Sequence, residues 1–473
     1  MSWRPAAALA AIVGVGGCAH RAPYVPPQPQ TPPAFKEASN WKSAQPRDDA
    51  ARGAWWELFG DPELNALEAR VDVSNQSLKA ATAAFAQARA LVRGARANLY
   101  PQVFAAPSIS TVRPSGTRAI STFHDAYGDY ILPGDVSYEA DVWGRLRGIV
   151  DATRAAAQAT AADLETARLS LHAELALDYF LLRGLDREQD LLNGAVDAYE
   201  KALELTQNRF NGGLSSQADV AQAETQLEQT RAQAVDTGVQ RAALEHAIAV
   251  LVGEPAAAFS VTRAPLAALP PDVPAAVPSD LLERRADIAS AERRIASAAA
   301  QVGVTESAFY PVITLSGAAG FETSSFGRWL AGASSFWSAG PAAVINIFDA
   351  GRRRAANEQA RGGLEQASAI YQQTLLNAFR EVEDQLAALR VLGQESEIQD
   401  RAVAASERSL TLATNRYRGG VTSYLEVLTA QSAALANQRA AVNVLVRRMG
   451  ATVLLLKGLG GDWRVAALPA AQR

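Results

Sequence analysis

The sequence has few of the residues that catalysis and covalent cross-linking require. Its 473 residues include one cysteine and four histidines, so an internal disulfide is excluded and few metal ligands are available. No His-x-x-x-His pair and no glycine-rich phosphate loop is present. The histidines are scattered, and we interpret His172 and Glu174 as solvated or packing residues. The sequence therefore predicts neither an enzyme nor a cofactor or metal site.

Charge and long apolar runs are also scarce. The net charge is only -4 and no basic stripe is present, which argues against a nucleic-acid partner. After the first residues, no apolar run reaches the roughly twenty residues that a transmembrane helix needs. Aromatic residues make up 7% of the chain, whereas alanine is abundant, and this balance favours long helices. If the chain spans a membrane, it must do so with strands.

The N-terminal residues are predicted to form a targeting segment. Arg4 precedes an apolar stretch at residues 6–15, and small residues lead to Cys18. This arrangement resembles a bacterial lipobox, in which Cys18 would become the acylated first residue and carry a covalent lipid. Ala19 at the next position fits sorting to the outer membrane. An ordinary signal peptide with an incidental cysteine is the alternative.

Three motifs occur twice, in the same order, about 207 to 210 residues apart. Such a large period indicates two copies of one structural unit and not a short solenoid repeat. The motifs are Tyr100-Pro101 and Tyr310-Pro311, Asp141-Val142-Trp143-Gly144-Arg145 and Phe348-Asp349-Ala350-Gly351-Arg352, and Arg209-Phe210-Asn211-Gly212-Gly213 and Arg416-Tyr417-Arg418-Gly419-Gly420.

Each copy is predicted to contain a helix, a β-hairpin, a very long helix and a returning helix. The long helices run from Arg145 to Asn211 and from Arg352 to Arg418, about 100 Å each at 1.5 Å per residue. Two shorter helices stacked end to end would match one long helix. The predicted segments are a signal peptide (1–17), a proline-rich acylated arm (18–61), the first repeat (62–254), a proline-rich linker (255–278), the second repeat (279–457) and a C-terminal tail (458–473).

The first helix is expected from Asp61, as N-cap, to about Ala97, and the first helix of the second copy from Ser279 to Ser307. The returning helices are expected at about 217–252 and 423–456. The strands are expected at residues 102–111, 135–142, 312–316 and 341–347, where polar and apolar residues alternate most clearly in the second.

The alternation places Val136 and Tyr138 on one face and Asp135, Glu139 and Asp141 on the other. Such alternation is typical of a half-buried soluble hairpin, but also of a barrel strand between lipid and a wet lumen. Four strands cannot close a barrel, so closure demands several chains in a ring. A dimer, a trimer and a tetramer remain possible on this count.

Taken together, the motifs resemble those of the TolC-type outer-membrane efflux factors, lipoprotein (NodT/OprM-like) branch, which serve resistance-nodulation-division efflux systems. The resemblance covers nearly the whole mature chain. It depends on Trp55-Trp56 with Phe59-Gly60-Asp61-Pro62, on the two Tyr-Pro and Gly-Arg motifs, and on Arg416-Tyr417 with Tyr424-Leu425-Glu426-Val427-Leu428. The family implies a mainly α fold with a β-barrel portion, in which a homotrimer shares a 12-stranded membrane barrel and a 12-helix periplasmic α-barrel.

The resemblance also implies roles for individual residues. The glycine turns would form the periplasmic tip, where a periplasmic adaptor (membrane fusion) protein docks, at Arg209, Gly212, Gly213, Arg416, Gly419 and Gly420. The closed gate would lie just beyond the second tip, at Arg416, Tyr417, Leu425, Thr429 and Gln431. Some family members have aspartate at the position of Thr429, so an acidic ring is not expected there. Leu425 could still close the pore as an apolar constriction.

The resemblance implies a passive exit duct in the outer membrane of a Gram-negative bacterium. It would export drugs or other small toxic compounds, in complex with the adaptor and an inner-membrane pump of the resistance-nodulation-division class. The alternatives are an exit duct for type I protein secretion and a periplasmic coiled-coil scaffold lipoprotein.

Overall fold

A computed structural model describes residues 35–36, 54–117, 125–271 and 285–461. Within these ranges, Trp55–Phe59 form a 3-10 helix, and seven α-helices and five β-strands follow in two similar series. The helices are α1 (Pro62–Ser74), α2 (Gln76–Ala97), α3 (Arg145–Asn211), α4 (Gln217–Leu251), α5 (Ala286–Ser307), α6 (Arg352–Arg418) and α7 (Tyr424–Gly458). The strands are β1 (Gln102–Ala105), β2 (Ser108–Val112), β3 (Tyr127–Ala140), β4 (Val312–Thr323) and β5 (Ser335–Val344).

The long helices have the predicted lengths. Helices α3 and α6 contain 67 residues each, and their observed bounds match the predicted bounds at both ends. Helices α4 and α7 contain 35 residues each, and their observed bounds lie within two residues of the predicted bounds. Ser216 caps α4 in a capping box with Asp219, which satisfies free N–H groups of the first turn.

Several predicted bounds are wrong. The single helix expected up to Ala97 breaks at Asn75, whose extended backbone separates α1 from α2. Arg285 is also extended, so α5 begins at Ala286, and the predicted start at Ser279 lies outside the described residues. Strand β5 covers residues 335–344, so the strand predicted for 341–347 begins and ends earlier than expected.

The shorter helices stack end to end through two equivalent joints. The Asn75 side-chain amide donates to the carbonyl oxygen of Leu251, which joins the start of α2 to the end of α4 (2.8 Å). Arg285 Nη1 donates to the carbonyl oxygen of Gly458, which joins the start of α5 to the end of α7 (3.1 Å). Each joint satisfies a carbonyl that a helix end would otherwise leave without a partner.

The helices form a wall one layer thick. Helices α2 and α4 pack along one side of α3, helices α5 and α7 pack along its other side, and α6 packs beyond α5 and α7. The wall therefore has four rods, two continuous and two jointed. In the single chain, the stacked pair α2 and α4 and the continuous helix α6 are its two free edges.

The strands form one antiparallel sheet. As in the wall, the first repeat occupies one side of the sheet and the second repeat occupies the other. Strands β1 and β2 both pair with β3, β3 pairs with β4, and β4 pairs with β5. Since β1 and β2 follow each other along β3, the sheet is four strands wide. Its free edges are β1 with β2 on one side and β5 on the other.

The register separates an apolar face of the sheet from a polar face. The apolar face includes Val103, Val136, Tyr138, Ile313, Leu315, Pro341 and Ala343. The polar face includes Gln102, Asp135, Ser137, Glu139, Thr314, Ser316 and Ser338. Cross-strand partners share a face, so the predicted alternation holds near the middle of the sheet, whereas Phe104 and Phe336 are apolar residues on the polar face.

The main buried core surrounds the middle of α3. Residues 54–74 and 255–271, which we call the belt, pack there against the ends of α4 and α7. Tyr179 of α3 donates to Asp61 of the belt (2.7 Å), and Arg241 of α4 binds Asp186 of α3 (2.7 Å). The belt covers one face of the wall and leaves the opposite face of α3 uncovered.

In the described part of the chain, none of the helices is long and apolar enough to cross a membrane.

Candidate functional site

The two glycine turns have the same backbone geometry. Gly213 and Gly420 both have φ of 73°, which glycine adopts without the steric cost of a Cβ. At the first turn, the backbone N–H of Leu214 donates to the Arg209 carbonyl (2.8 Å), and that of Gly213 donates to the Phe210 carbonyl (2.9 Å). This pattern is a Schellman motif, which ends a helix by satisfying its last carbonyls.

The second turn repeats the motif. The backbone N–H groups of Val421 and Gly420 donate to the carbonyls of Arg416 and Tyr417, both at 3.0 Å. A Schellman motif usually packs its outermost apolar residue against the helix that it ends. Here Leu214 and Val421, which hold those positions, are 72% and 71% exposed. The turns therefore present apolar side chains to their surroundings.

The two turns contact each other although 207 residues separate them. The Arg209 guanidinium lies over the Tyr417 ring, 4.7 Å from its centre, and Arg209 Nη1 donates to the Arg418 carbonyl (3.5 Å). The Tyr417 hydroxyl donates to Thr206 on α3 (3.3 Å). The structure thus brings predicted tip residues of both repeats together.

The residues predicted for the gate divide into a buried group and an exposed group. Tyr417 and Gln431 are buried, and Tyr424 donates to the Gln431 side chain (3.4 Å). Burial, and then the neighbouring tyrosines, raise the pKa of Tyr424 to about 12, so it remains a neutral donor. Leu425 is 55% exposed, and the Thr429 hydroxyl donates to the Leu425 carbonyl (2.8 Å).

Sequence reasoning missed Glu426 as a partner in this region. Arg416 lies 3.3 Å from the Glu426 carboxylate, which joins the end of α6 to the start of α7. Tyr424 belongs to the Tyr424–Leu428 motif but was not predicted as a gate residue, yet its ring packs edge-on against Tyr417 with 5.6 Å between the centres. The periodicity of α7 could have placed Tyr424 on the buried face, whereas the Arg416 contact depends on the turn geometry.

The repeated Gly-Arg motif forms the connection from sheet to wall. Asp141 accepts hydrogen bonds from the backbone N–H groups of Leu146 and Arg147 (both 2.9 Å), so it caps α3. Glu139 accepts a hydrogen bond from Arg145 (2.8 Å). Both carboxylates, which the alternation predicts on the polar face of the hairpin, are therefore paired. Their arginine and backbone partners hold them at the junction.

Other predicted features give no site in the described chain. Cys18 and His124 lie outside the described residues. Within the described ranges, His, Cys, Asp and Glu side chains form no group of three that could hold a metal ion. His172 is buried and pairs with Glu68, and Glu174 is exposed.

Comparison with known proteins gives the same architecture. The sequence model of the outer membrane efflux protein family matches residues 67–254 and again residues 277–461. The pyoverdine export outer membrane protein OpmQ of Pseudomonas aeruginosa is 31% identical over 90% of this chain and 91% of that protein. Outer membrane protein OprJ of the same organism is 31% identical, with 91% of each chain covered.

A solved structure, that of the outer-membrane channel OprN, aligns with a TM-score of 0.86 at 28% identity. The alignment covers 93% of this chain and 99% of that chain. The resemblance inferred from the motifs and the outer-membrane location inferred with it are confirmed. With two matches that together span most of its length, the chain belongs to the outer membrane efflux protein family.

Proposed function

We propose that the chain is the exit duct of a tripartite efflux pump. Three copies would close into one channel that carries drugs or other small toxic compounds from the periplasm to the exterior. The pump would supply the energy, and the duct would make and break no covalent bond. One observation carries this proposal. In both the sheet and the wall, elements of the first repeat form one free edge and elements of the second repeat form the other.

The free edges support closure with other copies of the chain. The sheet has two free edges, one formed by β1 and β2 and the other by β5. Their backbone groups are unpaired, and such edges are not tolerated in the hydrocarbon of a membrane. The wall also has two free edges, one formed by the stacked helices α2 and α4 and the other by α6. Three copies of a sheet four strands wide would give twelve strands, an even number that suits a membrane barrel.

The edge helices carry exposed apolar side chains that a neighbouring copy would cover. On α4, Val235 and Val239 are 78% and 70% exposed. On α6, Val391, Ile398 and Leu412 are exposed and lie at multiples of seven residues, the spacing of a helix-packing seam. These two stripes would face each other across the subunit boundary.

The turns at the far end of the wall are the proposed docking point for the adaptor and, through it, for an inner-membrane pump. Exposed Leu214 and Val421, with Arg209 and Arg416 beside them, offer an apolar surface with basic groups at its margin. The proposed gate lies next to this surface, where Leu425 would close the pore and the Arg416–Glu426 ion pair would hold α6 against α7.

The gate proposal is tested by single-channel recording in planar bilayers. Leu425→Ser should raise the conductance, because a hydroxyl wets a constriction that an apolar side chain keeps dry. Leu214→Ser, an exposed leucine of the other turn, is the matched control and should leave conductance unchanged. Equal conductance of Leu425→Ser and the unmodified protein would remove Leu425 from the gate.

The function itself is tested in cells that lack the chain. Deletion should increase the accumulation of small toxic compounds, and the restored chain should reverse this increase. An unaltered accumulation together with no conductance in bilayers would refute the duct.

The lipid anchor on Cys18 is a further part of the proposal. Labelled palmitate should enter the protein and should not enter Cys18→Ser. One acyl chain anchors only modestly, so Cys18→Ser should still reach the outer membrane if the sheet inserts. Unchanged palmitate incorporation in Cys18→Ser would disprove acylation at this residue.

A further inference from the structure

A cavity of about 460 Å³ lies on the wall, between α3, α4 and α7. Its apolar lining is formed by Leu181 and Leu185 of α3, Leu244 of α4, and Val442 and Val446 of α7. The volume lies within the range of pockets that hold small organic molecules. The adaptor surface and the gate lie at the turns that follow α3 and α6, about 35 Å along α3 from Glu188, so this cavity is separate from both.

The cavity opens on the face of the wall opposite the belt. Tyr179 and Arg183 of α3 contact the belt, through Asp61 and the Thr262 carbonyl respectively. At about 100° per residue, Leu181 and Leu185 lie about 200° round α3 from these two positions. Helix α4 flanks α3 on one side and α7 flanks it on the other, so the cavity is a recess between them.

The uncovered face becomes the tunnel face if the proposed channel is correct, and the inference rests on that proposal. The belt adds a second layer to the wall around α3, and three copies of it inside the tunnel would obstruct the passage of compounds. The belt therefore covers the outer face of the wall, and the cavity faces the passing compounds.

Two small residues create the recess. Gly184 lets α7 approach α3 so closely that a Cβ there would overlap the side chain of Val446. Ala243 of α4 is exposed and also lines the cavity, where a larger side chain would occupy the space. The cavity therefore depends on the sequence at these positions and is not a general property of packed helices.

The polar lining carries no net charge. The Glu188 carboxylate accepts a hydrogen bond from Arg439 (2.7 Å), so its charge is neutralised. Gln240 and Asn443 add two exposed side-chain amides. Apolar walls with a few polar groups suit the body of an organic molecule that also has a polar end.

Unneutralised negative charge lies next to the cavity on the same stripe of α3. Asp178 and Glu174 precede Leu181 by three and seven residues, so they lie one and two turns away. Among the described residues, neither carboxylate has an ion-pair partner. Arg447, one turn of α7 beyond Asn443 of the lining, is 3.5 Å from Glu395, so it is already paired.

We propose that this cavity is a transient binding site for amphiphilic organic cations during export. The apolar body of the cation occupies the recess between α3, α4 and α7, and its charged group lies near Asp178 and Glu174. Three equivalent sites would line the tunnel of a trimer.

The experiment measures binding of the cationic dye rhodamine 6G to the protein in lipid nanodiscs, by fluorescence anisotropy without free detergent. Ala243→Phe should fill the recess and weaken binding at least about tenfold. Lys201→Phe, an exposed position on α3 away from the cavity, is the matched control and should bind as the unmodified protein does. Equal affinity of Ala243→Phe and Lys201→Phe would overturn the site.

The charge preference has its own variant. Asp178→Asn should weaken rhodamine 6G about threefold or more and leave the neutral dye N-phenyl-1-naphthylamine unaffected. The anionic dye 8-anilinonaphthalene-1-sulfonate should bind the unmodified protein more weakly than rhodamine 6G. Equal effects of Asp178→Asn on the cationic and neutral dyes would overturn the role of the carboxylates.

Single-channel conductance of the same preparations separates the two proposals. If both the unmodified protein and Ala243→Phe conduct ions but bind the dye equally well, the proposed binding site is refuted and the proposed duct is not. No conductance in either protein would refute the duct itself.

Discussion

A buried carboxylate and a buried histidine form the most unusual side-chain pair of the belt. Glu68 is fully buried, and its Oε2 lies 2.6 Å from Nδ1 of His172 on α3. The Trp56 ring stacks on His172 with 4.4 Å between the ring centres. Burial raises the pKa of Glu68 to about 7, although the hydrogen bond from His172 acts in the opposite direction.

This raised pKa makes the stability of the belt depend on pH. Between pH 4.5 and about 7, folded Glu68 keeps a proton that the unfolded chain releases, so stability falls as pH rises through this window. The effect is at most about 3 kcal/mol. Glu68→Gln should flatten the fall of melting temperature between pH 5 and 7.5, whereas Glu57→Gln, exposed in the same segment, should not. A Glu68→Gln protein with the original pH slope would contradict this assignment.

At the scale of the element, the turns need glycine at only one of their two glycine positions. Gly420 has φ of 73°, whereas Gly419 has φ of -75°, which any residue adopts. Gly420→Ala should destabilise the turn by about 1 kcal/mol and speed amide hydrogen exchange at residues 416–424 about fivefold. Gly419→Ala is the matched control with little effect. Equal exchange rates in the two variants would show that the positive φ carries no cost here.

The joint between α2 and α4 depends on both ends of the Asn75 side chain. Its oxygen accepts a hydrogen bond from the Leu78 N–H (2.9 Å), and its amide donates to the Leu251 carbonyl. Asn75→Ala should cost about 1–2 kcal/mol, since it removes the cap and leaves a buried carbonyl without its donor. Asn75→Ser keeps a capping oxygen and should be intermediate in thermal unfolding. If Asn75→Ser were as unstable as Asn75→Ala, the cap would contribute nothing.

At the scale of the whole molecule, the two faces of the sheet must meet different surroundings. Leu315 shares its face with Tyr138 and Pro341, and the next residue, Ser316, shares the other face with Ser137 and Gly340. Because Leu315 lies near the wall end of β4, Leu315→Arg should cost about 1 kcal/mol, less than at the middle of a bilayer, and lower the amount of assembled protein in the outer membrane. Ser316→Arg should assemble normally. Equal amounts of the two variants in the outer membrane would exclude lipid as the surroundings of the Leu315 face.

The sequence alone was sufficient for the periodic and local features of this protein. Both 67-residue helices, the returning helices and the alternation of strand faces follow from repeating patterns of apolar residues. The turns follow from Gly-Gly pairs after the long helices. These features depend on neighbours within a few residues, so the pattern of side chains is enough to predict them.

Only the tertiary structure decided which distant residues meet. The Glu68–His172 pair, the Arg209–Tyr417 contact and the two helix joints connect residues that are 104 to 208 positions apart. The cavity arises because Gly184 and Ala243 lie on different helices that pack side by side. No local pattern encodes such contacts, since they depend on the order in which whole helices and strands pack against one another.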